Sequence, residues 1–146
     1  NAIRRIVGET EMKKLQQGDQ FTGELDLGNK SINDEGCSIL AIALKRMTAL
    51  NELDLYRNQI GDNGIEHLSK ALPKMKALNA LYLHYNQIGK KGLVSITNLV
   101  NNGIGLKVLW LHKNSFSLND NETKELEKAW KAKGKEMGEC GLRLEY

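Results

Sequence analysis

The stretch Leu50-Asn51-Glu52-Leu53-Asp54-Leu55-Tyr56-Arg57-Asn58-Gln59-Ile60-Gly61 decides the reading of this chain, because it returns. Leu78-Asn79-Ala80-Leu81-Tyr82-Leu83-His84-Tyr85-Asn86-Gln87-Ile88-Gly89 follows at a step of 28 residues, and Leu106-Lys107-Val108-Leu109-Trp110-Leu111-His112-Lys113-Asn114-Ser115-Phe116 after 28 more. Such a fixed period marks a stack of repeated units. Within each copy the leucines alternate (Leu53, Leu55), which predicts a short strand with one face turned inward. The asparagine that follows turns the chain, and its amide can satisfy backbone groups that the turn leaves unpaired. One period earlier, Thr22 opens a degenerate copy with Leu25, Leu27 and Ile32, where Lys30 stands in place of the asparagine. At the far end, Gly141-Leu142-Arg143-Leu144-Glu145 supplies another leucine pair, 33 residues after Leu109, so five residues are inserted in the last unit.

Helices fill the second half of each unit. Cys37, Leu40, Ala41 and Leu44 lie at i, i+3, i+4 and i+7, one face of a helix. The same offsets hold Ile65, Leu68, Ser69 and Leu72, then Leu93, Ile96, Thr97 and Val100. A small residue at the third position predicts close packing of helix on strand. Pro73 ends the second helix, and Gly103 and Gly105 end the third. In the last unit, Leu118 to Thr123 reads as the insertion, and Leu126, Ala129, Trp130 and Met137 predict a longer helix. Ile3, Ile6, Val7, Met12 and Leu15 predict a helical cap over residues 1–20, with repeats over 21–146, about four and a half in all. Tyr146 is expected to end the chain on a strand.

The L-x-x-L-x-L-x-x-N-x-I signature resembles the leucine-rich repeat, and the 28-residue period resembles the ribonuclease-inhibitor-like subfamily. The resemblance rests on the leucines above, on Asn58, Asn86 and Asn114, on Ile32, Ile60, Ile88 and Phe116, and on Gly36, Gly64 and Gly92. It implies an α/β solenoid, a horseshoe fragment with a parallel sheet on the concave face and helices on the convex face. It further implies a binding role: the subfamily includes inhibitors that cover an enzyme's active site, GTPase-activating proteins, actin pointed-end cappers and the sensing arms of cytoplasmic receptors.

In such a solenoid the variable strand positions form columns on the concave face. One column reads Asp26, Asp54, Tyr82, Trp110, Arg143; the next Gly28, Tyr56, His84, His112, Glu145; a third Asn29, Arg57, Tyr85, Lys113, Tyr146. The column before them reads Glu24, Glu52, Ala80, Val108, Gly141. All four tyrosines and one of the two tryptophans fall in these columns. The leucines already supply the core, and exposed Tyr, Trp and Arg dominate protein-binding hot spots. The expected partner-binding residues are therefore Asp54, Tyr56, Arg57, Tyr82, His84, Tyr85, Trp110, His112, Lys113 and Arg143. Acidic residues (Glu24, Asp26, Glu52, Asp54) crowd one end of the face and Lys107, Lys113 and Arg143 the other.

Composition narrows the alternatives. The chain has 146 residues, a net charge of +3 and 27% charged residues, the profile of a globular domain. No apolar run reaches the length of a membrane span. The segment Asn1 to Gly8 lacks the apolar stretch of a signal peptide. Without an initial Met the chain reads as a fragment or a processed form. Cys37 and Cys140 are expected to be reduced, which suits a cytoplasmic setting. There is no nucleophile elbow, H-E-x-x-H, Cys-x-x-Cys or phosphate loop, so no enzyme and no cofactor are expected. His84 and His112, with Asp54 and Glu145 near, are of a type that binds metal, but such a pair is more often polar surface. Lys124, Lys128, Lys131, Lys133 and Lys135 interleave with Glu122, Glu125, Glu127 and Glu136, a solvated helix face rather than a nucleic-acid site. The expectation is a monomeric module that binds another protein.

Overall fold

The computed structural model describes residues 1–145; Tyr146 lies outside the described residues. Five parallel strands, β1 (Glu24–Asp26), β2 (Glu52–Asp54), β3 (Ala80–Tyr82), β4 (Val108–Trp110) and β5 (Leu142–Arg143), lie side by side in chain order. Between them run α2 (Asp34–Leu44), α3 (Asp62–Ala71), α4 (Lys90–Asn101) and α5 (Asn121–Ala132); α1 (Ala2–Gln16) precedes them. The register is that of the repeat: Leu25, Leu53, Leu81, Leu109 and Leu142 form one row, and all five are buried. Leu40, Leu44, Ile65, Leu68, Leu93, Ile96 and Val100 meet them from the helices. No unit could bury this surface alone; stacking does it.

Hydrogen bonds between units set the stack. Asn58 Nδ2 donates to the carbonyls of Leu55 (3.0 Å) and, one unit earlier, Leu27 (2.9 Å). Its Oδ1 accepts from the N–H groups of Lys30 (3.0 Å) and Ile32 (2.9 Å). Asn86 repeats this with Leu55, Leu83 and the N–H of Ile60, and Asn114 with Leu83, Leu111 and the N–H of Ile88. A second ladder runs along the helix starts. Gly61 and Gly89 occupy the N-cap positions of α3 and α4 and have no side chain to cap with. Instead Asp34 Oδ1 accepts from the Gly61 N–H (2.7 Å), and Asp62 Oδ1 from those of Gly89 (2.7 Å) and Gly92 (2.9 Å). Each helix thus caps the next, with a carboxylate at the positive end of the helix dipole. Gly64 and Gly92 are glycine for the same reason: a Cβ would lie 2.5 and 2.8 Å from these aspartate oxygens. The ladder stops at Lys90, whose ammonium instead approaches Asp120, the N-cap of α5 (3.8 Å).

Both edges of the sheet are closed. At β1, the buried Glu11 of α1 accepts from the Asp26 N–H (2.9 Å), and Lys14 donates to the Glu24 carbonyl (3.0 Å). At β5, residues 136–138 fold back along the outer side: Leu142 N–H donates to Glu136 O (3.0 Å) and Gly138 N–H to Leu142 O (2.8 Å). Gly141 allows this approach, since a Cβ there would overlap the Glu136 carbonyl. Trp130 Nε1 (2.6 Å, to Glu136 O) and Trp110 Nε1 (3.1 Å, to Glu139 O) pin the strap, and Lys135, over the Trp130 ring, donates to the carbonyls of Ile104 and Leu106. Unpaired strand edges invite association, and here they are covered.

Three expectations need correction. The last helix is not extended to Met137; it ends at Ala132, Gly134 takes φ +72, and Met137 sits in the strap, bridging to Leu142. The insertion does not span Leu118 to Thr123, because α5 already begins at Asn121; the extra length is shared between the turn before α5 and the strap after it. Of the small residues facing the strands only Ala41 is buried, while Ser69 and Thr97 are half-buried and spend their hydroxyls on Glu66 O and Leu93 O of their own helices. The N-terminal helix also departs from helical geometry at Gly8 (φ +83), while Val7 and Leu15 are buried against the core.

Candidate functional site

The sheet face turned away from the helices carries the columns in register. Asp54 pairs with Tyr82 and Asp26, Tyr82 with Trp110, and Trp110 with Arg143. Beyond the strand ends, the rings of Tyr56, His84 and His112 stack in a continuous pile: 5.1 Å and 22° for the first pair, 4.6 Å and 21° for the second. Tyr82 and Trp110 meet edge to face beside it at 4.8 Å, and the Arg143 guanidinium lies 5.1 Å over the Trp110 ring. These separations suit ring–ring and cation–π attraction. The pile follows from the repeat, which brings equivalent residues about 4.8 Å apart on neighbouring strands.

Exposure divides the ten expected residues. Tyr85 is 46% exposed, Arg57 and Lys113 are exposed, and Asp54, Tyr56, Tyr82, His84, Trp110 and Arg143 are half-buried. His112 is only 5% exposed. Ring packing therefore takes up part of the aromatic column, His112 most of all. Trp110 is likewise shared between the face and the strap.

A feature that the sequence reading missed lies in the third column. Asn29 (φ +56), Arg57 (+54), Tyr85 (+58) and Lys113 (+62) all adopt the left-handed conformation. For non-glycine residues this costs about 1 kcal/mol each. The next residue in three of the four cases is a ladder asparagine, which holds the turn. The available signal was position: each lies one residue before the asparagine slot.

Charge is unevenly spread. Burial and the neighbouring carboxylates Glu52, Asp26 and Asp54 raise Glu24 above its usual range; Asp54 is raised by burial, then by Asp26 and Glu52. Tyr82 is raised by burial, then by Glu52, Glu24 and Asp54. At the other end, burial, His112 and Arg143 push His84 down to about 4, and burial, Arg143 and Lys113 lower His112. Both imidazoles are therefore neutral at pH 7. Stacked face to face, they do not converge on a point. Among the described residues no three His, Cys, Asp or Glu side chains gather where a metal ion would sit. Cys37 is buried and Cys140 exposed, both as free thiols, and no described helix is long and apolar enough to cross a membrane.

Residues 47–69 and 75–96 match the family model for the leucine-rich repeat. A solved structure titled leiomodin-1 actin-binding site 2 is similar over 94% of this chain and 78% of its own, with a TM-score of 0.76 and 19% identity. An internalin from Listeria monocytogenes aligns over 73% of this chain and 33% of its own, with a TM-score of 0.42 and 25% identity. No curated protein matches. The fold is that of a leucine-rich-repeat solenoid, parallel strands backed by helices, and two of its units match the repeat model.

Proposed function

We propose that the chain is a non-enzymatic protein-interaction module of the ribonuclease-inhibitor-like class, and that its partner seats on the ring-bearing face of the sheet. The observation that carries this is the packed Tyr56–His84–His112 pile flanked by Tyr82, Trp110 and Arg143. Neighbour contacts hold these rings in place, so less side-chain entropy is lost when a partner covers them. Closed sheet edges support the same reading, because a partner meets side chains rather than free backbone. A shared fold with a leiomodin segment titled an actin-binding site supports a protein as the class of partner. Which protein binds is a matter of the residues on the face, not of the fold.

The test is photo-crosslinking in cell extract, with a benzophenone amino acid replacing Tyr82 on the face or Ile42, which is 69% exposed on α2. Discrete adducts are expected from position 82 and none from position 42. Equal yields from both positions, or adducts from 42 alone, would move the interface to the helices.

A further inference from the structure

Four carboxylates occupy the β1–β2 end of the face. Glu24 lies opposite Glu52 and Asp26 opposite Asp54 in register. Neighbouring strands are about 4.8 Å apart, and like charges directly opposite each other destabilise a sheet. Among the described residues none of the four makes an ion pair. Lys14, whose charge acts to lower Glu24, gives its ammonium to the Glu24 carbonyl and to Glu11 (3.1 Å). Burial first, and then the neighbouring carboxylates, raise Glu24 and Asp54 above their usual range, in keeping with this crowding.

Their surroundings complete the picture. Tyr82 stands in register with Asp54, and Tyr56 follows Asp54 by two residues, so half-buried rings border the carboxylates. Arg143, Lys107 and Lys113 hold positive charge at the β4–β5 end. The edges at β1 and β5 are filled by α1 and by the strap.

We infer that the partner presents a basic segment, whose Lys or Arg side chains lie between the paired carboxylates of β1 and β2 and beside the Tyr82 ring; Tyr56, held between Gly28 and His84, walls the site without offering a ring face. This rests on the face being the interface, as proposed above, and adds the chemistry of what fills it. A cation there relieves the repulsion between the strands and gains contact with the Tyr82 ring as well. Arg143 and the lysines repel it from the other end, so it seats in one place. Acidic segments and nucleic acid are disfavoured at the carboxylates by the same charges.

The probe is a fluorescein-labelled decapeptide of alternating Arg and Gly, titrated by anisotropy at 50 mM NaCl beside Gln/Gly and Glu/Gly peptides. The double variant Glu52→Gln/Asp54→Asn keeps side-chain size, and its circular dichroism checks the fold. The Arg/Gly peptide should bind at least tenfold more tightly than the other two. The double variant should weaken it at least tenfold, while Glu35→Gln/Glu66→Gln, with the same net charge but changed on α2 and α3, should stay within twofold. Equal loss in both variants, or equal binding of the Glu/Gly peptide, overturns the inference. So does self-association in sedimentation that vanishes with Glu52→Gln/Asp54→Asn, which would make a second copy the occupant. If crosslinks from position 82 persist while the basic peptide fails, the face stands and only its chemistry is wrong; if the crosslinks are absent, the face itself falls.

Discussion

Replacing Asn58 with alanine should cost roughly twice as much stability as the same change at Asn86, although the two occupy equivalent places in the repeat. Both are 8% exposed. The difference lies in who else serves their partners. Leu55 O accepts from Asn58 and Asn86 alike, and Leu83 O from Asn86 and Asn114. Removing Asn86 leaves both carbonyls with a donor and strands only the N–H of Ile60. Removing Asn58 strands the N–H groups of Lys30 and Ile32 together with Leu27 O, which has no second donor among the described residues. A buried polar group left without its partner costs about 1–3 kcal/mol. One such group gives about 2 kcal/mol for Asn86→Ala. Three groups, with the half-buried Lys30 N–H discounted for access to water, give about 4 kcal/mol for Asn58→Ala. Urea unfolding followed by far-ultraviolet circular dichroism measures both, provided the slope with denaturant is unchanged. Equal costs, or a larger cost at Asn86, would refute shared acceptors as the origin of the ladder's strength.

Two further outcomes follow from the geometry. Asp62→Ala removes the carboxylate that caps α4 from the neighbouring helix, so stability should drop by about 1–2 kcal/mol and the melting temperature by several degrees; an unchanged melting curve would mean that water replaces this cap at no cost. His84, held down to about 4, binds its proton more readily in the unfolded chain, so its contribution is intact above about pH 6.5 and is lost as pH falls toward 4. Discounted for its partial exposure, this contribution is about 1–2 kcal/mol. Glu24 and Asp54, both raised, act in the opposite sense, so the measurement is the difference between wild type and His84→Gln in urea unfolding at pH 7 and pH 4.5. A gap between them that does not shrink on acidification would show that His84 does not titrate as its surroundings dictate.

The candidate site was legible in part. Register follows from the period, so the repeat alone places Asp54, Tyr82, Trp110 and Arg143 side by side. Position alone did not reveal that His112 is packed away, or that Trp110 spends its indole N–H on Glu139. Solvent access depends on what the neighbouring ring or loop covers, and those neighbours lie 28 or more residues distant in the chain.

The architecture itself was set by local sequence. Leucines alternating at period two, helical faces at period 3.6 and a step of 28 leave one way to bury the apolar surface, a stack of strand and helix units. Tertiary structure decided what passes between units. Asp34 caps α3 rather than its own helix, Asn58 serves the turn of the preceding repeat, and residues 136–138 close the sheet where the periodicity predicted more helix. These bonds join groups that become neighbours only once the units have stacked. A one-dimensional pattern records how each unit buries its leucines, but not which backbone groups the stacking leaves for another unit's side chain to satisfy.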